Sequence, residues 1–445
     1  MKWSWIITLL CLIGTAALVI LFQSQSLPKD LTRDEVEFAR LAVKLSNQPY
    51  TPYDEYATGH TTLYFYIILA SFQLLGLSQF ALRFPSALFG FINVFALYVL
   101  YSMIFQKGIL RVKIPILKKL TNIETALLLS FLFVTTRWYF NFARFSFEAT
   151  FIIFLEIISL IFLMMFEKRK NILLLILSAV CAGFAYNSYQ PGRFFIFIPL
   201  LYMFLKPSLK KWRNFLLYTI VFGFIITPIS LYLAQHPDIR LYQQLYFLDT
   251  NLTITQKMLF FAENVLRMVQ MFTIKGDVNG LHNYPLKPAL NPIMLTLFLA
   301  GLIYGLKKRN ATSNVFLAYL VLALFPTLLT YPHENPNMLR TVTALPSIIY
   351  FCGLGIAHIL EAGSRVKRKF SFLAYIPLCI VALVVISATF DIYTYFRYQS
   401  TVMNESFEVK DGFAGVYTFM HARKIPISKF RVSETDMRLY RKLSP

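Results

Sequence analysis

The sequence predicts an all-α polytopic membrane protein, on three observations. Apolar runs of roughly 20 residues, the length at which a helix crosses a bilayer core, recur along nearly the whole chain. Hydrophobic residues make up 57% of the 445 positions, and the mean hydropathy is +0.57. The basic residues behind the net charge of +21 gather in short clusters between apolar runs. They do not line one amphipathic face, so the charge reports membrane orientation and no nucleic-acid partner.

The first run, Trp3 to Phe22, follows Lys2 and is longer than a typical signal-peptide core. Ser24-Gln25-Ser26 is a poor cleavage site, so this run is expected to be a retained anchor. Candidate spans lie at 3 to 22, 80 to 105, 122 to 141, 148 to 166, 171 to 187, 194 to 206, 214 to 233, 289 to 306, 314 to 331, 342 to 360 and 372 to 391. That makes about eleven, with 194 to 206 short enough to require tilt or burial in the bundle.

Basic clusters occupy every second connection. They are Lys107, Arg111, Lys113, Lys118 and Lys119; Lys168 to Lys170; Lys206, Lys210, Lys211 and Arg213; Lys307 to Arg309; and Arg365, Lys367, Arg368 and Lys369. The positive-inside rule makes these cytoplasmic. Residues 23–79 and 234–288 then become outer loops, and 392–445 a short extracytoplasmic C-terminal tail on a membrane domain of residues 1–391. This alternation requires that Leu63 to Leu75, which falls short of the ~20 residues of a span, lie along the outer face without crossing.

The first outer loop concentrates Asp30, Asp34, Glu35, Glu37, Asp54 and Glu55 in a chain with only 22 Asp and Glu. After Asp34 and Glu35 the pattern EVEFARLAVKL predicts a short amphipathic helix on the membrane surface. The acidic pair is then either a helix cap or a reactive group held ionised by free amides. In the second loop, 255 to 272 predicts an amphipathic helix, and KGDVNGLHNYPLKPALNP an ordered loop. The cysteines Cys11, Cys181, Cys352 and Cys379 each sit in an apolar run without a partner at ligand spacing, which predicts neither disulfide nor zinc site.

On this topology one side of the membrane gathers Asp34 and Glu35, His60, Arg137, Arg144 and Glu148, Arg193, Asp277, His282 and Asn283, and His333, Glu334 and Arg340. Ionisable groups at membrane depth are costly and usually line a cavity. Each also has a structural reading: Arg144 and Glu148, four apart, as a helix ion pair; Arg193 as a snorkelling interfacial side chain; the histidines as packing residues. No HExxH, GxSxG, Walker or GxGxxG pattern is present, which leaves zinc protease, serine hydrolase and nucleotide-driven pump without support. Carboxylates facing arginines suit a base acting on an acceptor while cations hold a phosphate.

The anchor followed by DE, then LYFYIILASFQLLGLSQFALRFPSALFG, WYFNFARFSFEATF, NSYQPGRFFIFIPLL, GDVNGLHNYPLKPALNP and NMLRTVTALP resemble, in order, the bacterial family 39 glycosyltransferases. These are relatives of the protein O-mannosyltransferases and aminoarabinose transferases. The resemblance implies a GT-C membrane fold in the plasma membrane and an inverting transfer of sugar from a polyprenyl-phosphate donor on the extracytoplasmic face. The acceptor would be a hydroxyl of a glycan, lipid or protein. It implies Asp34 as base with Glu35 beside it, Glu148 as a second acidic position, and His60, Arg144, Arg193 and Arg340 toward the donor phosphate or substrate. Asp277, His282 and Asn283 would contribute from the second loop. Gly59-His60-Thr61 stands where aminoarabinose transferases carry Glu-Lys-Pro, so the acceptor or donor is expected to differ. No cofactor is expected. A divalent cation bridging Asp34 or Glu35 to the phosphate is the one metal role left open. The competing class, a transporter or flippase of lipid-linked sugars, would use the same charges for binding, but they cluster at one surface and no inverted repeat is visible.

Overall fold

The computed structural model describes residues 2–56, 59–106, 109–114, 119–366, 375–410, 412–432 and 434–442. The anchor is α1 (Lys2–Leu21). Residues 23–79 then build α2 (Arg33–Leu45), a two-stranded ribbon of β1 (Tyr53–Asp54) and β2 (His60–Thr61), and α3 (Leu63–Leu75). The bundle continues with α4 (Gln79–Ile104), an antiparallel hairpin of β3 (Ile109–Ile114) and β4 (Lys119–Glu124), α5 (Thr125–Thr135), α6 (Arg137–Phe142), α7 (Ala149–Arg169), α8 (Ile172–Tyr186), α9 (Phe197–Leu205) and α10 (Trp212–Gln235). The second loop holds α11 (Ile239–Gln244) and α12 (Ile254–Thr273). Next come α13 (Pro292–Lys308), α14 (Ala311–Leu328), α15 (Leu345–Val366) and α16 (Ile376–Tyr393), and the chain closes with α17 (Ser400–Ser406), α18 (Gly412–Ala422) and α19 (Glu434–Lys442).

Among the described residues six helical stretches are long and apolar enough to cross a membrane: α4, α7, α10, α14, Val342–Gly363 and Ile376–Met403. In α7 and in Val342–Gly363, 78% of the apolar window is buried, against 17% in α10. The former are therefore the inner staves of the bundle, and α10 faces outward. Close approach of α13 and α15 depends on glycine. A Cβ at Gly301 would stand 1.7 Å from the Phe351 carbonyl oxygen, and one at Gly355 2.2 Å from that of Leu297. Small residues let helix backbones approach where lipid supplies no hydrophobic drive.

Helices fill the predicted runs, with three departures. The run 122 to 141 starts later and breaks at Thr136. There Thr135 and Thr136 hydroxyls bond back to the Phe131 and Leu132 carbonyls, Thr136 turns extended, and the Arg137 amide donates to Asp391 Oδ2 at 3.3 Å. Back-bonding of this kind competes with the helical ladder. The run 372 to 391 carries on through a π-helical turn, Thr394–Gln399, into α17. The C-terminal segment docks on residues 23–79. Leu31 and Val409 bridge, the Leu77 amide donates to the Arg431 carbonyl, and Lys429 Nζ donates to the Ser46 carbonyl at 2.6 Å.

α3 keeps the predicted bounds, packs between α2 and α4, and at 13 residues is shorter than a ~20-residue span. Gly76 ends it at φ +92°, where a Cβ would lie 2.8 Å from the Arg431 carbonyl oxygen.

The glycine seam makes a direct prediction. Gly301→Val should lower the detergent-solubilised melting temperature markedly, because the added methyls meet backbone. Gly223→Val on α10, where nothing lies within 4 Å, should leave it nearly unchanged.

Candidate active site

The start of α2 sets the site. Thr32 caps it: its hydroxyl accepts from the Glu35 amide at 2.9 Å, and Glu35 Oε2 accepts from the Thr32 amide at 3.2 Å. This is a capping box. It places Asp34 and Glu35 inside the first turn, at the N-terminus of the predicted amphipathic helix. Their side chains diverge by roughly 100°. Glu35 is fully buried, bound by Arg83 Nε at 2.8 Å and Nη2 at 2.9 Å and by the Ser146 amide at 2.9 Å. Arg83 also donates to the Pro28 and Asp30 carbonyls. Every lone-pair direction of Glu35 is thereby used for structure. Asp34 is exposed and has no hydrogen bond or ion pair to the protein among the described residues.

Glu35's bond to Ser146 ties this turn to the segment ahead of α7, where Glu148 is buried. His60 of β2 brings Nδ1 to 4.0 Å from Glu148 Oε1 and packs edge-on against Phe38 and Phe65. Both carboxylates are felt at Tyr64, which hydrogen-bonds Ser86 at 2.6 Å. Burial raises that phenol; the Ser86 and Ser146 hydroxyls oppose the rise, and the charges of Glu148 and Glu35 add to it. The ribbon is pinned at Asp54, which accepts from Lys44 Nζ at 2.7 Å, and Thr61 donates to the Ser188 carbonyl at 2.6 Å.

Beyond Ser188 the chain turns through the 3-10 helix Gln190–Phe194 into a cavity of about 230 Å³. Arg193 and Arg340 both line it, along with Phe194, Phe197, Leu241 and Leu245. Arg193 stands 3.7 Å from Asp238, and its Nε is buried without a protein hydrogen-bond partner. Arg340 Nη1 forms an ion pair with Glu334 Oε2 at 2.6 Å. Two guanidiniums on an apolar-walled cavity, Arg193 with a buried Nε that lacks a protein hydrogen-bond partner, can receive an anionic oxygen group on an apolar stem.

Arg144 and Glu148 do not pair, because α6 ends at Phe142 and α7 begins at Ala149. The intervening turn puts the two side chains on no common helical face. Arg144 instead donates to the carbonyls of Val19, Ile20, Phe22 and Leu27 and to the Tyr395 hydroxyl, clamping the C-terminal end of α1. Asp277, His282 and Asn283 hold the predicted ordered loop together. His282 Nδ1 and the Met338 amide each lie 2.8 Å from Asp277 Oδ2, and Asn283 bonds the Asp277 and Lys287 carbonyls as well as Arg137. Sequence reasoning missed Arg83 and Asp238. Arg83 lay in the most distinctive motif, GLSQFALRFPSALFG, and an arginine within that apolar run was the available signal.

No family model matches the chain, and no curated protein matches its sequence. Solved structures do match. The oligosaccharyltransferase AglB of Archaeoglobus fulgidus superposes over 100% of this chain with TM-score 0.57 at 14% identity. ArnT of Cupriavidus metallidurans, bound to undecaprenyl phosphate, superposes over 93% with TM-score 0.54 at 11% identity. The fold is the GT-C membrane bundle. The mycobacterial arabinofuranosyltransferase AftD matches over 93% of the chain with TM-score 0.50 at 13% identity. This chain spans 60% of AglB, 79% of ArnT and 28% of AftD.

The Lys44–Asp54 pair gives a pH prediction. Burial pulls the Asp54 carboxyl up, but hydrogen bonds from Lys44, the Tyr56 amide and Gln48 outweigh it, leaving the folded value below the ordinary one. Its stabilisation is therefore complete above the unfolded value of about 3.9 and lost as pH falls through the depressed one. Thermal unfolding of Asp54→Asn should show a deficit at neutral pH that closes toward pH ~3.

Proposed function

We propose that the protein is a polyprenyl-phosphate-dependent, family 39-type glycosyltransferase of the plasma membrane, working on the extracytoplasmic face with inversion at the sugar's anomeric carbon. The observation that carries this reading is the pairing of Arg193 and Arg340 on one apolar-walled cavity of a GT-C bundle. Solved relatives of that fold are complexed with dolichol-phosphate and with undecaprenyl phosphate, which supports a lipid phosphate as the group these arginines receive.

In this mechanism the acceptor hydroxyl attacks the anomeric carbon while the bond from that carbon to the phosphate oxygen breaks. The bonding pair leaves on polyprenyl phosphate. That leaving group needs its developing charge stabilised more than it needs protonation, and the two guanidiniums supply this without a proton transfer. Asp34 takes the acceptor proton. This residue lies exposed in the first turn of α2, with no hydrogen bond or ion pair to the protein among the described residues. Glu35 positions Asp34 through Arg83 and takes no proton. Glu148 with His60 orients the sugar. A divalent ion finds a poor donor set here: Asp34 offers one carboxylate, and Glu35 is already spent on Arg83. Transfer is therefore metal-independent.

General-base assistance is worth ~10² to 10⁴ in rate. Asp34→Asn should lose transfer from a radiolabelled polyprenyl-phosphate sugar by about that factor while donor binding holds. Near-normal transfer by well-expressed Asp34→Asn would remove the base from the mechanism. Arg193→Ala and Arg340→Ala should instead weaken donor binding, read as a raised KM. Chelator treatment should leave the rate unchanged, and loss restored by one divalent ion would overturn the metal-free reading.

A further inference from the structure

A second cavity, about 630 Å³, opens between the end of α1 and the start of α4. Its mouth is polar, with Gln25, Ser78 and Gln79; Phe84, Leu88 and Phe91 line it along one face of α4, and Arg83 and Arg144 contribute to its wall. Spacings of three, four and seven residues keep that row on one side of the helix. Leu21, Phe80 and Leu88 on its walls are exposed to the surroundings of the bundle. A chain entering from the bilayer therefore meets apolar surface first and ends at the polar mouth. The size falls in the ~300–1,000 Å³ range of ligand sites.

Arg83 forms part of the groove wall and connects it to the proposed base. Its guanidinium holds Glu35, adjacent to Asp34, and the carbonyls of Pro28 and Asp30, while Gln79 donates to the Lys29 carbonyl. The polar mouth is thus bonded directly to the loop that leads into Asp34. On the reading proposed above, the lipid stem of the donor goes with Phe194 and Phe197 at the Arg193–Arg340 cavity.

We propose that the α1–α4 groove binds the acyl chain of a lipid-borne acceptor and delivers its headgroup to Asp34. Naming the occupant an acceptor rests on the glycosyltransferase reading; acyl-chain occupancy of the groove does not.

The test uses the full-length protein in phospholipid nanodiscs with two probes, a diazirine-bearing diacyl phospholipid and a diazirine-bearing undecaprenyl phosphate. The phospholipid should label peptides of residues 18–25 and 78–91, and the polyprenyl phosphate those around Phe194 and Phe197. Ala87→Trp, which fills the groove, should cut the first label about tenfold and leave the second intact. Leu88→Trp, at a more exposed position, repeats the test if Ala87→Trp disturbs folding. In membranes given radiolabelled polyprenyl-phosphate sugar, the same variants should reduce label in the organic extract. Groove labelling by the polyprenyl probe alone, or by neither probe, overturns the proposal, as does transfer only into the protein fraction. Phospholipid labelling of the groove with no transfer by wild-type protein rejects the enzyme reading, and with it the acceptor assignment, while retaining the acyl-chain site.

Discussion

The buried ion pair between Glu35 and Arg83 is the constraint on which the candidate site depends. It joins the first turn of α2, the carbonyls of the loop before it, the start of α4 and the amide ahead of α7. A carboxylate and a guanidinium removed from water cost several kcal/mol each, and only complete hydrogen bonding offsets that. Here the carboxylate is completely bonded. Removing one partner typically costs ~3–5 kcal/mol because the other is left buried and uncompensated. Such a pair is a means of fixing one geometry more than a source of net stability, and the geometry it fixes is that of Asp34.

A division of labour among the charged residues follows. Arg83 and Arg144 spend their donors on carbonyls and side chains of the protein, and Arg137 does so from both Nη atoms although its Nε is buried without a protein partner, so these three hold the frame. Arg193 and Arg340 instead pair with Asp238 and Glu334 and face a cavity. An arginine's function in this bundle is thus read from where its N–H groups go. Burial alone misleads, since Arg137 and Arg144 are the most enclosed of the set.

Much of the bundle was legible in the sequence because length and hydropathy are local properties. α3 kept its predicted bounds, and α12 arose where the amphipathic period placed it. What stayed hidden was long-range. Glu35 and Arg83 lie 48 positions apart, and Lys429 reaches Ser46 across 383. Nothing in either segment's own pattern announces the other. The break at Thr136 needed both a threonine pair and an aspartate 254 residues on to catch the freed amide. Arg144 and Glu148 had the spacing of a helical pair, but the chain turns between them.

The central claim, that a polyprenyl phosphate is held by Arg193 and Arg340, is most directly tested by an experimental structure of the full-length protein with undecaprenyl phosphate. The account predicts the phosphate between the two guanidiniums, with its isoprenyl chain leaving past Phe194 and Phe197. A phosphate seated in the α1–α4 groove, or a lipid that binds without contact to either arginine, would contradict it.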